Sequence, residues 1–414
     1  MVFLHPRTLL TPAERSAKRR LVIQDTLALL SLFAITGVLA VLTFLLFRSY
    51  SQHEKDLAAR WLRRGDAALA AGQPQQAINA LRSALAYQPD NRQIQIKLAE
   101  ALAGAGHIQE ATAYFNTLWD KEPGSGIINL QLARLATRTI AKHVDNARRA
   151  LEYYHAAIYG TWEGDGAERR RAVRLELVRY ELSKGMFADA RNELLIAAGN
   201  ADETNSAALL EVANLLEQAH APSDALHLYK QILARRDTSF AALEGAGRSS
   251  FILGRFRAAK HFLEHALAQP DASPQSDIDE DRQELAQSKA ILNLYASPTL
   301  PARQRAERVL SARNIARERF FSCIAPGADP TTNTATNTPP AALPPNLAAL
   351  NTRWQAEPKN LSLEVLMRDP KLQQQELDLI YDTESETVHD CGAPTGDDAL
   401  LLRIAQALDA IEQP

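Results

Sequence analysis

Small or apolar residues and prolines return along this chain at an interval of 34: Gly72 and Gly106, Ala77 and Ala111, Ala84 and Leu118, and Pro89 and Pro123 are each separated by that distance. An interval of this size is the mark of a supersecondary unit that is repeated and stacked. The residue types say what the unit is. Gly65 and Ala77 are small enough to let two helices cross within the roughly 8–10 Å of normal packing. Gly72 suits a turn that must pass through the left-handed region after a helix end. Pro89 cannot continue a helix interior, so it closes the second helix. The spacing therefore encodes helix, turn, helix, break.

The composition agrees with an all-α chain. Aromatic residues are 6% of the sequence and Ala, Leu, Gln, Glu and Arg crowd most of it, which suits packed helices better than sheets. After the first unit, a second spans about residues 92–125 and keeps Leu98, Ala99, Leu102, Gly106, Ala111, Phe115 and Pro123. A third, about 126–160, keeps Leu132, Ala133, Ala147, Leu151 and Tyr154. It is degenerate, with two extra residues in its turn and a Gly-rich connection from Gly160 to Gly166. Leu177, Gly185, Ala190 and Leu194 mark a fourth near 171–204, and Ala213, Leu216, Ala225, Tyr229 and Ile232 a fifth near 206–239. Gly247, Gly254, Ala259, Leu263 and Ala266 complete a sixth that closes on Pro270, so about six units fill 58–273.

The run Trp61-Leu62-Arg63-Arg64-Gly65, followed by Gly72, Ala77, Leu81, Ala84 and Pro89, resembles the tetratricopeptide repeat. The resemblance covers roughly half the chain. It implies a right-handed α-solenoid that binds other proteins, with the first helix of each pair lining the concave side. One polar position recurs on those first helices, directly after the small residue at the crossing: Asp66, Glu100, Arg134, Arg179, Asn214 and Arg248. These six are the candidate partner-binding groove, read as acidic toward the N-terminus and basic further on. The alternative is that they are simply solvent-facing residues of amphipathic helices. Family members that grip a terminal carboxylate use a set of Lys and Asn in their first repeats. Asp66 and Glu100 stand there instead, so that activity is not carried over.

Ahead of the repeats, Leu27 to Phe47 is an uncharged apolar run of about 21 residues, long enough at about 1.5 Å per residue to cross a bilayer. A cleaved secretory signal has a shorter apolar region ending at a small-residue site. Here the run passes Val38-Leu39-Ala40 and ends at Phe47-Arg48. Residues 21–48 are therefore expected to be an uncleaved transmembrane helix and residues 1–20 a cytoplasmic tail. The block Lys18-Arg19-Arg20 against the lone Arg48 favours a cytoplasmic N-terminus, with the bulk of the chain outside the cytoplasm. That places the protein in an inner or cytoplasmic membrane, facing a periplasm-like space.

Beyond the repeats, stretches within 278–322 read as capping helices, the second markedly basic through Arg303, Arg305, Arg308, Arg313, Arg317 and Arg319. Residues 326–346 turn to Pro, Thr, Asn and Ala and read as a flexible linker. Residues 347–414 suggest a C-terminal helical segment of no recognised family. The only two cysteines, Cys323 and Cys391, flank the linker. Outside the cytoplasm they form a disulfide that ties the segment back; in a reducing compartment they are two buried thiols.

The sequence offers no chemistry. His389-Asp390-Cys391 are adjacent, and neighbours in sequence rarely face one another as a nucleophile and its base must. No Cys-x-x-Cys pair suggests a metal, and neither Gly124-Ser125-Gly126 nor Gly160 to Gly166 carries a phosphate-loop signature. A net charge of -3 gives no basic field for nucleic acid, and Arg169-Arg170-Arg171 reads as a solvated face. The expectation is a non-catalytic, membrane-anchored scaffold with no cofactor, no small-molecule substrate and other proteins as partners. Two rivals are a chaperone-like helper of a translocation or assembly machine, and a regulatory subunit on the cytoplasmic face.

Overall fold

The structure is a computed structural model describing residues 12–139, 144–202, 204–235, 239–269, 275–324, 343–358 and 361–413. Most of the N-terminal tail, the extra turn residues of the third unit, Pro270 and residues 326–342 of the expected linker lie outside the described residues. Every regular element among the described residues is a helix, with one isolated bridge between Ser125 and Thr161. The chain divides into two compact units, residues 1–173 and 174–414.

The first unit begins with α1 (Pro12–Ala70), followed by α2 (Pro74–Tyr87), α3 (Arg92–Gly104), α4 (Ile108–Lys121), α5 (Gly126–Thr139) and α6 (Val144–Tyr159). At 59 residues, α1 is about 88 Å long. The apolar run and the first repeat helix are thus one rod, because nothing between Phe47 and Trp61 breaks a helix. From Leu21 to Tyr50 its large apolar side chains are exposed, and the helix is long and apolar enough to cross a membrane. The hydroxyls of Thr26, Ser31, Thr36 and Thr43 donate to carbonyls of Ile23, Ala28, Leu32 and Leu39 in the preceding turn. Their hydrogen-bonding needs are thereby met within the helix itself.

From α1 to α6 each helix packs on the next, over a core that includes Ile78, Leu81, Leu98, Leu102 and Phe115. After α6 the chain turns back at Gly160. Thr161 pairs with Gly124 and Gly126 through backbone hydrogen bonds of 2.8 and 2.9 Å, and the Trp162 ring fills the space where Gly126 lacks a side chain.

Next, α7 (Gly166–Ser183) contains the division between the units. In the second unit follow α8 (Phe187–Gly199), α9 (Ser206–Gln218), α10 (Pro222–Ala234), α11 (Phe240–Ile252) and α12 (Phe256–Leu267). Asn205 and Ser239 start α9 and α11 by accepting from the backbone N–H of Ala208 and Ala242, each satisfying one orphan donor at a helix N-terminus.

Within each pair the crossing has no spare volume. Ala77, Ala111, Ala150, Ala190, Ala225 and Ala259 on the second helices are all fully buried. A Cβ on Gly65 would lie 2.7 Å from Leu81, and one on Gly247 would lie 2.6 Å from Leu263. The turn between the helices passes through positive φ at Gly72, Gly106, Gly185 and Gly254. In the fifth pair His220 takes that place at φ 55, the one non-Gly residue with positive φ among the described residues. Its ring packs edge-on to Phe187 at 4.5 Å, a contact that offsets part of the cost of left-handed backbone.

The C-terminal part is not a separate appendage. It comprises α13 (Gln275–Leu294), α14 (Ala302–Ile324), α15 (Pro345–Ala356), α16 (Leu363–Arg368), α17 (Pro370–Asp390) and α18 (Asp397–Gln406). Phe251, Phe256 and Ala259 of the last repeat share one core with Val309, Phe320, Trp354, Leu366, Ile380 and Ile404 from these helices. The expected linker ends two residues early, since Pro345 opens α15, where its missing N–H costs nothing.

Beyond Arg303, which pairs with Glu307 on the exposed side of the helix, the basic run of α14 faces protein. Arg313 pairs with Glu376 at 2.8 Å, and their side chains are 4% and 0% exposed. Arg305 reaches Gln373, Arg308 donates to the carbonyls of Leu292 and Tyr295, and Arg319 donates to the Gly392 carbonyl. Cys323 at the end of α14 and Cys391 after α17 are joined as a disulfide with Cα atoms 5.5 Å apart.

Gly247→Val is expected to lower stability by about 1–3 kcal/mol through overpacking. Gly199→Ala, where an added Cβ meets nothing within 4 Å, should stay within about 0.5 kcal/mol of the parent. Denaturation midpoints of the two variants check this. Replacing Cys323 and Cys391 together by Ser opens a bridge between positions 68 apart, a loss on the order of 4 kcal/mol on the chain-entropy account. A loss below about 1 kcal/mol would assign the anchoring to Arg313–Glu376 and the apolar core alone.

Candidate partner-binding surface

Each of the six groove positions sits directly after a buried small or branched residue that faces the second helix: Gly65, Ala99, Ala133, Val178, Ala213 and Gly247. The helix period then fixes the orientation of the following residue, which points roughly 100° away from the crossing. Asp66, Glu100 and Arg134 belong to the first unit, and Arg179, Asn214 and Arg248 to the second.

The structure reveals a regularity that the 34-residue spacing conceals. Lys97 on α3 donates to Asp66 on α1, and Gln131 on α5 donates to Glu100 on α3 at 2.7 Å. In the second unit Arg179 on α7 pairs with Glu211 on α9 at 2.6 Å. Lys97, Gln131 and Glu211 each lie three positions before the next groove residue, Glu100, Arg134 and Asn214 respectively. Three residues are one helical turn, so each groove position grips the turn ahead of its counterpart in the following pair. The result is a series of polar rungs between successive first helices.

Asn214 and Arg248 sit in a denser network. The Tyr229 hydroxyl donates to Asn214 at 2.6 Å, Ser249 donates to Glu217 at 2.8 Å, and Arg248 pairs with Glu244 at 3.3 Å. Burial raises the Glu217 carboxyl above its ordinary range, opposed by the Ser249 hydrogen bond and the Arg248 charge. Burial also raises Glu100, against the hydrogen bond from Gln131 and the charge of Lys97, and pushes Glu284 on α13 up to about 7 despite Arg248. Arg134 is half-buried.

These partners flatten the acidic-to-basic run read from the six residues alone. Asp66 meets a lysine, and Arg179 and Arg248 each meet a glutamate. A partner laid across the first helices would therefore read ion pairs and amides more than isolated charges. Sequence reasoning missed the rungs because Lys97, Gln131 and Glu211 are unlike in chemistry; an offset of 31 or 32 in place of 34 was the available signal.

Away from the groove, Cys391 of the His389-Asp390-Cys391 run is committed to the disulfide, and the His389 side chain is 95% exposed. Among the described residues no group of three or more His, Cys, Asp or Glu is placed to hold a metal ion. Of the three arginines opening α7, Arg171 pairs with Glu168 at 3.6 Å and Arg169 lies over the Trp162 ring.

Paired helices crossing on glycine and alanine, left-handed turns at a fixed place, and residues 68–135 matching the tetratricopeptide repeat family lead to one assignment. Residues 68–135 carry tetratricopeptide repeats. A helical-repeat fold of this kind is a protein-interaction scaffold. Many solved structures are similar to it, three of them as follows. The TPR2AB domain of yeast Sti1, from a complex with pHSP90, is 14% identical, with 57% of this chain and 99% of that chain covered at a TM-score of 0.23. A tetratricopeptide repeat protein from Parabacteroides merdae is 12% identical, covering 56% and 99% at 0.24. The P58(IPK) TPR domain is 14% identical, covering 85% and 98% at 0.26. At these TM-scores nothing about the groove is transferred from them. No curated protein matches the chain.

The tetratricopeptide rungs predict a measurable coupling. With side chains 40% and 25% exposed, Asp66 and Lys97 should couple by about 0.2–1 kcal/mol in a double-mutant cycle of Asp66→Asn and Lys97→Met. The coupling should shrink in about 1 M salt. Zero coupling at low salt would remove the rung as a link between the first two pairs.

Proposed function

We propose that this chain is a non-catalytic scaffold of a bacterial-type envelope, held in the inner membrane by one helix, whose repeats gather other proteins outside the cytoplasm. The observation that carries the reading is the continuity of α1. An exposed apolar stretch of bilayer length leads unbroken into the first repeat helix at Trp61. About 13 residues, roughly 20 Å of helix, separate Phe47 from Trp61. The first groove position, Asp66, is thereby held near the membrane surface, and a diffusing partner is sought in a thin layer instead of a volume.

Two further features favour the extracytoplasmic side. The Lys18-Arg19-Arg20 block outweighs Arg48 at the two ends of the span. The Cys323–Cys391 disulfide is of a kind that persists in oxidising compartments and is rare in the cytoplasm.

Fusion of a reporter enzyme active only outside the cytoplasm after Pro414 tests the topology. Reporter activity in intact cells is the expected result. An inactive reporter, with a cytoplasm-active one working at the same junction, would reverse the orientation and favour a cytoplasmic-face subunit.

A further inference from the structure

The joint where α14, α17 and α18 meet contains more acid than it can neutralise. Glu384 on α17 is fully buried, and neither of its carboxylate oxygens has a hydrogen-bond partner. Its ion partner is Arg319 of α14, whose Nε stands 3.6 Å from Oε2. That guanidinium is already shared: it donates to Thr387 at 3.1 Å and to the Gly392 carbonyl at 2.8 Å. Asp398, in the first turn of α18, draws on the same cation and has a buried oxygen without a hydrogen bond. Two carboxylates on different helices thus compete for one arginine, and each repels the other when both are charged.

The remaining charges around the joint are engaged elsewhere or add to the negative side; on α13, which packs on α18, Glu284 is pushed up to about 7 and its charge acts on Arg403 of α18. Glu318 of α14 and Asp397 of α18 add negative charge to Asp398. Arg353 of α15 is engaged by Asp382 at 2.7 Å, and Glu364 and Arg368 of α16 are exposed. On α17 itself Asp390 accepts from Asn346 at 2.9 Å.

We propose that this joint is a proton-operated latch: protonation of Glu384 and Asp398 docks α18 on α14 and α17, and their ionisation loosens it. Burial, followed by the Asp398 charge, pushes Glu384 up to about 7, and burial raises Asp398. The sign follows. A carboxyl whose folded-state value lies above its unfolded value, about 4.5 for Glu384 and 3.8 for Asp398, stabilises docking fully below that unfolded value, and the stabilisation is lost as pH rises through the folded value, about 7 for Glu384.

The disulfide makes the latch local. Cys391 ends α17 and is bonded to Cys323 in the last turn of α14, so α17 stays fastened while α18 moves. The two sulfurs, Arg319 and Asp398 line one open depression, which gives water and protons access. What α18 covers is the end of the last repeat. Arg403 lies 4.4 Å over the Phe251 ring and 5.6 Å over Phe256, and Ala407 closes on the turn at Gly254. Release bares that aromatic pair.

Hydrogen exchange of the full chain in detergent, read by mass spectrometry between pH 5 and pH 8 and corrected for intrinsic rates, tests the latch. Amides of 397–406 are expected to lose about tenfold in protection across that range, while those of α9 and α10 do not change. In Glu384→Gln the protection should become nearly independent of pH, and in Asp398→Asn the slope should fall. A merely structural role would lower protection equally at every pH. A flat profile in the parent protein, or an undiminished slope in a folded Glu384→Gln chain, would overturn the proposal. Should Glu384→Gln fail to fold, the Asp398→Asn slope and the parent profile decide it.

Discussion

Contact without clearance between the two helices of each pair is the constraint on which the rest depends. Where Leu81 meets Gly65 and Leu263 meets Gly247, the larger side chain occupies the volume a Cβ would need. Opposite them the alanines of the second helices have no accessible surface. Packing this close fixes the interhelical distance and rotation, and that rotation decides which residue follows on the open side. The polar rungs depend on it: Asp66 reaches Lys97, and Arg179 reaches Glu211, only because successive first helices stand side by side at a constant offset. A methylene too many at a crossing would be felt at the rung.

The stack also needs ends, since an exposed last pair would leave apolar surface uncovered. At the C-terminal side the chain supplies its own cover. Phe251 and Phe256 continue into a core built by α13 to α18, and the basic face of α14 is spent on Glu376, Gln373 and backbone carbonyls. A buried arginine–glutamate pair contributes little net stability compared with apolar residues, yet losing either partner is costly. Its effect is to fix one docking geometry for α17. At the other side, the first repeat helix and the apolar span are one helix, α1.

Much of this fold was legible in the sequence because its cause is local and periodic. Glycine, alanine and proline at an interval of 34 report the same contact each time, so helix, turn and crossing could be placed for nearly every pair. The fifth turn was not legible: His220 occupies a left-handed position that glycine fills elsewhere, and its compensation, the Phe187 ring, is 33 residues away in sequence. The C-terminal architecture was hidden for a related reason. Arg313 and Glu376 are 63 apart with no repeat to flag them, so the sequence shows α14 as markedly basic without showing that Arg313 is interior. Groove positions were identifiable, but their charge state was not, because each partner sits one turn off the repeat.

On this reading the first helices present a surface to another protein. Photocrosslinking in living cells tests this most directly, with the reactive residue at Glu100 or Asn214 on first helices and at Arg82 or Arg191 on second helices. Discrete protein adducts from the first-helix positions, absent from the second-helix positions, are what the account predicts. Adducts of equal yield from both sets, or from neither, would contradict it.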